Sequence, residues 1–352
     1  MLELPPHRRA DERCLDAIAA RIGADRLALD ERSRFVASRD HAWLSPVLTE
    51  AIPDDAVADA VVRPRSAAEL AATLAVAYEH DVAVTPRGKG TGNYGQSIPL
   101  AQGLVLDMGA IDGVLDVGDG WIEACAGTSF TRLEAAAHAT GQELAMFPST
   151  VGSMLGGFLC GGAGGTGSIE NGWIWDGFVS SLAVMPCWDA PQPAVLDGDA
   201  VLPHLRAYGT TGVVVSARVA LRPARRWTAL FASFPTLAAA ADAGRAILGC
   251  EPRPRNLSID DAALASLLDA HVGMPSGLVS LRAVLDESTL HVAGRAVAAH
   301  GGTIEAVAPE ATSLCVSLSF NHVTLRAKRV DDAMCHVQVG GPALIDRYDE
   351  VC

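Results

Sequence analysis

The sequence predicts an α+β protein in two domains, with a boundary near residue 222. Three observations lead there. At 352 residues the chain exceeds the usual domain size of about 100–150 residues. Apolar runs of strand length are interleaved with amphipathic helical stretches throughout. At Arg222-Pro223-Ala224-Arg225-Arg226 a glycine-rich texture gives way to a regular alternation of strand and helix. The first domain is expected over residues 1–222, with its core at 61–221, and the second, smaller one over 223–352.

The elements follow in order. Asp11 to Ile22 reads as a helix, apolar at Leu15, Ile18, Ala19 and Ile22. Ser66 to Tyr78 is a second helix, with Ser66 as N-cap and Glu69 completing a capping box. Short strands are expected at Val82–Thr85, Leu104–Asp107, Val114–Val117 and Trp121–Ala124. A helix from Ser129 to Thr140 closes on Gly141. A glycine-rich passage then runs from Pro148 to Gly172, followed by a strand, Val179–Met185, and a short helix near Asp199–Tyr208. Val213 to Leu221 alternates β-branched residues with polar ones, as a strand does.

Beyond the boundary, strands at Trp227–Phe234, Asn256–Ile259, Leu278–Leu285 and Thr303–Val307 alternate with helices at Thr236–Leu248, Asp260–Ala270 and Glu287–His300. This is the pattern of a mixed sheet with helices on one face. A last strand, Ser317–Phe320, and a last helix, Pro342 to Tyr348, complete the expectation.

Composition narrows the function classes. Hydrophobic residues make up 49% of the chain and charged residues 19%, which suits a packed interior rather than disorder. A formal net charge of −14 with no basic run excludes a nucleic-acid partner on electrostatic grounds. The same charge means that an anionic ligand would be held by backbone dipoles and a few local cations. Eight cysteines are scattered without a CxxC or zinc-finger spacing, so no metal is expected, and free thiols fit a reduced, cytoplasmic setting. The opening residues MLELPPHRRADER lack the apolar core of a signal peptide, and no apolar stretch reaches membrane-spanning length.

The chemistry concentrates in glycine. Directly after Val82-Ala83-Val84 the chain reads PRGKGTGNYGQSIP, Pro86 to Pro99. Glycines at a strand end let several backbone N–H groups turn toward one point, a shape that suits phosphate. Gly90 to Gly95 also spells GxGxxG, the dinucleotide fingerprint of a Rossmann fold. That fingerprint must open into a helix, whereas here Gln96-Ser97-Ile98-Pro99 leads to a new strand at Leu104. The loop is therefore a cradle of another architecture.

Two further clusters support it. Pro148 to Gly172 reads PSTVGSMLGGFLCGGAGGTGSIENG, too apolar at Met154, Leu155, Phe158 and Leu159 for a flexible linker. Gly209-Thr210-Thr211-Gly212 precedes the strand at Val213. Three glycine clusters in one domain suggest a single long ligand touching three loops.

PRGKGTGNYG, PSTVGSMLGGFLCGGAGGTGS and YGTTGVVVSARVAL, in that order, resemble the FAD-binding domain of the vanillyl-alcohol oxidase and p-cresol methylhydroxylase (PCMH-type) superfamily. The resemblance covers about Val61 to Leu221 and is nearest the glycolate oxidase and D-lactate dehydrogenase branch. It implies a two-part α+β domain that holds FAD, followed by a smaller α+β cap domain. Carried over by position, Arg87, Gly88, Lys89, Gly90, Thr91 and Gly92 would meet the FAD pyrophosphate, with Gly95 and Gln96 alongside. Pro148, Ser149, Thr150, Gly152 and Ser153 would continue that contact. Gly157, Gly162, Gly167 and Ser168 would line the ribityl and ring region, and Gly212, Val213 and Val214 the strand that meets the flavin. Members that attach FAD covalently through this domain often use a histidine in the first loop. Pro86 to Pro99 contains none, so non-covalent FAD is implied. Cys160 reads as a small packing residue rather than a reactive thiol.

The resemblance further implies a flavin-linked enzyme oxidising a small alcohol, a 2-hydroxy acid before others, by hydride transfer. A phenolic or benzylic alcohol is the alternative, disfavoured by 5% aromatic residues. An FAD-binding subunit active only in a complex is a third reading. His322, in SFNHVTLRAKR, is the candidate base, with Arg326 and Lys328 near enough in sequence to hold a carboxylate. The competing reading, a packing or surface histidine, carries equal weight. His41, near Trp43, is a weaker candidate. Family members usually continue past the cap with a C-terminal segment, so a chain ending at Cys352 is expected to have a minimal or incomplete cap. The electron acceptor (oxygen, quinone or a partner protein) and homo-oligomer formation stay open.

Overall fold

Capping side chains set the first elements of the computed structural model, which describes residues 9–44, 46–52, 56–268, 274–306, 311–319 and 328. Contacts divide the chain into two units, Met1–Gly164 with Trp173–Ala224, and Gly165–Gly172 with Arg225–Cys352. In the first unit, Asp11 accepts from the N–H of Cys14 at 2.9 Å and starts α1 (Glu12–Ile22). Then come β1 (Leu27–Ala28), α2 (Glu31–Ala37) behind its cap Asp30, and α3 (Pro46–Ala51). β2 (Ala60–Val62), α4 (Ala67–Glu79), β3 (Val84–Arg87) and β4 (Leu104–Asp107) complete the first sheet.

The sheet order is β1-β2-β4-β3, with β2 and β3 parallel to β4 and β1 antiparallel to β2. Strand alternation divides the burial. Ala60, Val62, Leu104 and Leu106 pack on α1 and α4, while Val61 and Val105 turn to Ala37 of α2.

Two local expectations change here. Ser66 caps α4 by accepting from the Glu69 N–H at 3.1 Å, but the Glu69 carboxylate does not return to Ser66. It accepts from the Arg65 N–H at 2.7 Å and from Arg26, an ionic partner that outcompetes the capping box. The strand expected at Val82–Thr85 starts two residues later. The Val82 N–H still bonds the Ala77 carbonyl at 2.9 Å and Asp81 takes φ +55, so the helix exit consumes those residues.

The second sheet is built from β5 (Val114–Gly118), β6 (Trp121–Cys125), β7 (Gln142–Leu144), β8 (Val179–Met185), β9 (Ala194–Asp197) and β10 (Val213–Pro223). Its order is β5-β6-β10-β8-β9, with β7 on the far end of β10, and every pair is antiparallel. Helices α5 (Phe130–His138) and α6 (Leu155–Gly161) pack on it, joined by an edge-to-face contact of Phe130 and Phe158 at 5.2 Å. Helix α7 (Ser168–Asn171) follows and counts with the second unit. The passage 148–172 is thus not irregular throughout. Leu155, Phe158 and Leu159 bury one helical face and order α6 in spite of its glycines. The helix expected near Asp199–Tyr208 is a 3₁₀ run, Gly198–His204. Pro203 denies it a donor, and Arg206 and Tyr208 take φ +53.

In the second unit, β11 (Trp227–Phe234), α8 (Leu237–Leu248), β12 (Asn256–Asp260), α9 (Ala262–Leu268) and β13 (Val279–Asp286) are followed by α10 (Leu290–Ala299), β14 (Thr303–Ile304) and α11 (Ala311–Ser317). The order β12-β13-β11-β14 has only antiparallel pairs, so the sheet is not mixed. The crossover through α8 leaves a one-strand gap between β11 and β12, and β13 fills it in the opposite direction. Leu230, Ala232, Phe234, Leu281, Ala283 and Leu285 form one face, packed with Ala243 and Ile247 of α8 and Val297 of α10.

The strand expected at Ser317–Phe320 is absent at its first residue, which instead closes α11. Cys315, Leu318 and Ser319 are buried at helical rather than alternating spacing. The helix expected at Pro342 to Tyr348 lies outside the described residues.

Candidate functional site

The first glycine loop leaves the C-terminal end of β3, an edge strand bonded on one side only. Gly90 and Gly95 turn it with φ +65 and +77. The Arg87 guanidinium turns back onto the protein. Its Nη1 donates to the Val36 carbonyl at 3.1 Å and its Nη2 to the Arg39 carbonyl at 2.9 Å, at and just past the C-terminal end of α2. A Cβ on Gly90 would run into that guanidinium. Burial lowers the Arg87 pKa against the pull of Asp107 and Asp40, and its Nε has no protein partner.

The His41 N–H donates to the Gly92 carbonyl at 2.9 Å, and Leu44 comes within 3.3 Å of where a Cβ on Gly95 would stand. Residues 36–44 therefore hold the loop in shape. Sequence reasoning saw only His41 there, because nothing in that segment advertises a partner some fifty residues away, as the Val36–Arg87 separation of 51 illustrates.

The second cluster is pinned to the start of α5. Ser153 N–H donates to Thr150 at 2.8 Å, Phe130 N–H to Ser153 at 3.1 Å and Thr131 N–H to Val151 at 3.1 Å. The first donors of α6 are also taken, Leu155 by the Thr128 carbonyl at 2.9 Å and Gly156 by Ala126 at 2.8 Å. Gly156 sits so close to Ala126 that an added Cβ would lie 2.8 Å from the alanine Cβ. Its neighbour Gly157 is exposed and faces open space, as does Gly152. Pro148 and Ser149 are buried, Thr150 is half-buried, and the buried Ser153 Oγ has no protein partner.

The third cluster closes the group. Arg206 N–H donates to the Leu159 carbonyl at 2.8 Å and Tyr208 N–H to that of Cys160 at 2.9 Å, capping the end of α6. Gly209 stands against Pro86, where a Cβ would lie 2.6 Å from the ring. Gly88 meets Met154 at 3.4 Å, and the Gln96 amide, which accepts from the Tyr94 N–H at 3.1 Å, lies 3.3 Å from the Cβ position of Gly161. Three segments remote in sequence thus form one glycine-lined cradle. Gly92 lies under the Gln96 side chain, Thr91 is half-buried and Lys89 is exposed.

The other expected site residues fall elsewhere. Gly162 faces the Phe158 ring at 2.7 Å, and Gly212, at φ +131, faces Val184 at 2.7 Å, so protein packing accounts for glycine at both. Val213 and Val214 are buried at the start of β10. Gly167 and Ser168 belong to the second unit, where Gly167 N–H donates to the Arg255 carbonyl at 2.7 Å and Ser168 Oγ accepts from Gly165 at 2.8 Å. Burial pushes the Cys160 thiol up to about 11, which suits packing and not nucleophilic chemistry. His322 and Arg326 lie outside the described residues. Among the described residues no helix is long and apolar enough to cross a membrane.

A flat, anionic, extended cofactor fits this lining. Open glycine faces at Gly152 and Gly157 permit close backbone approach, and the buried Ser153 hydroxyl awaits an acceptor or donor.

Residues 58–186 match the family described as FAD binding domain. The chain is 28% identical over 189 residues to D-lactate dehydrogenase of Archaeoglobus fulgidus, covering 50% of this chain and 42% of that protein. It is 27% identical over 241 residues to glycolate oxidase subunit GlcD of Bacillus subtilis, covering 64% and 50%. An uncharacterized FAD-linked oxidoreductase of Mycobacterium tuberculosis is 31% identical over 126 residues, 35% of this chain and 28% of that protein. The matches span half or less of these relatives. Two crystal forms of alkyldihydroxyacetonephosphate synthase share the fold, with TM-scores of 0.72 and 0.74 at 17% and 18% identity. They cover 94% of this chain and 66% and 68% of those chains.

Proposed function

We propose that the chain is a flavoprotein of the PCMH-type oxidoreductase superfamily, its residues 58–186 matching the FAD binding domain family, and that it oxidises a small 2-hydroxy acid to its 2-oxo acid. The observation that carries the flavin assignment is the match of residues 58–186 to the FAD binding domain family, supported by the three glycine segments that meet at Gly88 and Met154, at Gln96 and Gly161, and at Gly209 and Pro86. The substrate class is supported by two relatives whose names read D-lactate dehydrogenase and glycolate oxidase subunit. In the reaction the carbinol C–H bond breaks, its hydrogen leaves with two electrons as hydride, and the hydroxyl proton passes to a base as C=O forms. FAD, when bound, supplies the hydride acceptor.

The chain's own residues bind and orient. Backbone N–H groups of residues 88–92 and 149–152 would face the pyrophosphate, and Gly157 would leave room for the extended chain of the cofactor. Arg87 contributes by holding the first loop to residues 36 and 39, not by meeting phosphate with its guanidinium. His322 is assigned as the base and Arg326 as a cation for the substrate, both from the sequence pattern SFNHVTLRAKR.

The test is direct. Purified protein is expected to be yellow and to release FAD on denaturation, and D-lactate or glycolate should bleach it without oxygen while vanillyl alcohol does not. Colourless protein that cannot be reconstituted with FAD would sink the flavin reading; bleaching by vanillyl alcohol alone would sink the substrate class. A second reading, a subunit that works only with a partner, is favoured by the name of the GlcD relative and predicts bleaching only after a partner is added.

A further inference from the structure

The later turns of α5 and the start of β7 bring three metal-ligating side chains together within the first unit. Glu134 and His138 are four residues apart on α5, so they stand one above the other on the same helix face. The chain then turns back through Gly141 at φ +74, and β7 carries Glu143 alongside them. One ligand atom from each, two carboxylate oxygens and an imidazole nitrogen, all lie within 4.8 Å of one another. Spacing along the chain does not advertise the set, because its third member arrives on the next element.

Burial and orientation differ across the three. Glu143 is 3% exposed, whereas the His138 side chain is 53% exposed and opens the group to solvent. The Glu134 carboxylate is held from behind. Its Oε2 accepts from the Leu144 N–H at 2.8 Å, while its Oε1 lies 3.4 Å from His138 Nε2. A backbone donor of this kind fixes the direction of a ligating carboxylate. An ordinary Glu–His pair one helical turn apart accounts for two of the residues but not for Glu143, which adds a second carboxylate to the same few ångströms. Arg222, opposite Glu143 in the ladder of β7 and β10, is the protein's own cation on that strand pair. Glu134 and His138 also line a cavity of about 310 Å³, with apolar walls that include Phe130, Phe147 and Val151. It leaves room beside them for the water that completes a three-ligand coordination shell.

We propose that Glu134, His138 and Glu143 bind a divalent transition-metal ion of the zinc class. The donors select it. Mg²⁺ and Ca²⁺ take oxygen ligands, whereas one imidazole nitrogen with carboxylate oxygens suits Zn²⁺. A net charge of −14 draws cations to the surface. The role of the ion is structural. It clasps α5 to β7, and α5 in turn holds the second glycine segment, since the Phe130 and Thr131 N–H groups donate to the Ser153 and Val151 carbonyls. No flavin contact enters this site, so it stands or falls apart from the hydroxy-acid reading.

His138→Ala is the decisive variant, because an exposed helical histidine can become alanine without loss of stability. The full chain as purified is freed of metal with EDTA, and Zn²⁺ is titrated in by calorimetry. Wild type should bind zinc, and its Tm should rise as the ion is added. His138→Ala should weaken binding about a hundredfold or more, with the metal-free Tm unchanged or raised. Glu134→Gln, which keeps an acceptor for the Leu144 N–H but loses the charge, should weaken it as well. X-ray absorption at the zinc edge should show an imidazole among oxygen ligands. A sulfur neighbour at about 2.3 Å would put the zinc on a cysteine and overturn the site. Wild type that binds no zinc, a His138→Ala variant that binds it as wild type does, or displacement of the zinc by millimolar Mg²⁺ would each overturn it too.

Discussion

The first glycine loop and the second use the same residue for different physical ends. In the first, Gly90 and Gly95 adopt left-handed backbone, and the space their side chains would fill belongs to Arg87, Leu44 and Ile98. Glycine there is conformational, and the loop is clasped by its own protein. In the second, Gly156 and Gly157 are consecutive in one helix, yet one touches Ala126 and the other meets nothing within 4 Å. Glycine there serves close approach, inward to protein at one position and outward at the next. A glycine count cannot separate these uses, because each depends on what stands where the Cβ would be.

Substitutions can break that contrast. The largest effect is expected for Gly90→Ala, which adds about 1–2 kcal/mol of left-handed strain and displaces a charged donor from two carbonyls, worth about 1.5–3 kcal/mol. Thermal melting of the FAD-free protein should show a loss of roughly 3 kcal/mol; a wild-type melt would show that the clasp is dispensable. Gly156→Ala should cost about 1–3 kcal/mol, since the neighbour is partly backbone and cannot swing aside.

Gly157→Ala tests the opposite expectation. Stability should hold or rise by up to about 1 kcal/mol, as for any exposed helical glycine, while FAD affinity measured by flavin fluorescence falls about tenfold. Equal behaviour of the 156 and 157 variants would erase the distinction between them. The smallest effect concerns Cys160. With its thiol near 11, about one molecule in a thousand is thiolate at pH 8, so iodoacetamide should label the exposed Cys187 before Cys160, as peptide mass mapping would show.

Legibility in the sequence followed the range of the interaction. Ser66 announced a helix start because a capping side chain reaches only three residues ahead, and the edges of β4 and β8 matched their apolar runs. Glu69 broke the rule when Arg26, distant in sequence, took its carboxylate. Ser317 was misread because a short apolar run has no period of its own, and burial of Cys315 and Leu318 decided for helix. At the site, the three clusters and their order were plain from composition. The support from Val36, Arg39 and His41 was not, since it uses backbone atoms that every residue carries.

What the sequence determined alone was local and repetitive. It set the α+β alternation, the Ser66 cap, and three glycine segments, two of them inside the stretch that matches the FAD binding domain family. The tertiary structure decided which glycines face protein and which face open space, that residues 165–172 pack with the second unit, and that Glu143 comes beside Glu134 and His138. The reason is physical. Propensity and capping act between near neighbours along the chain, whereas contact and burial depend on segments that meet only after folding.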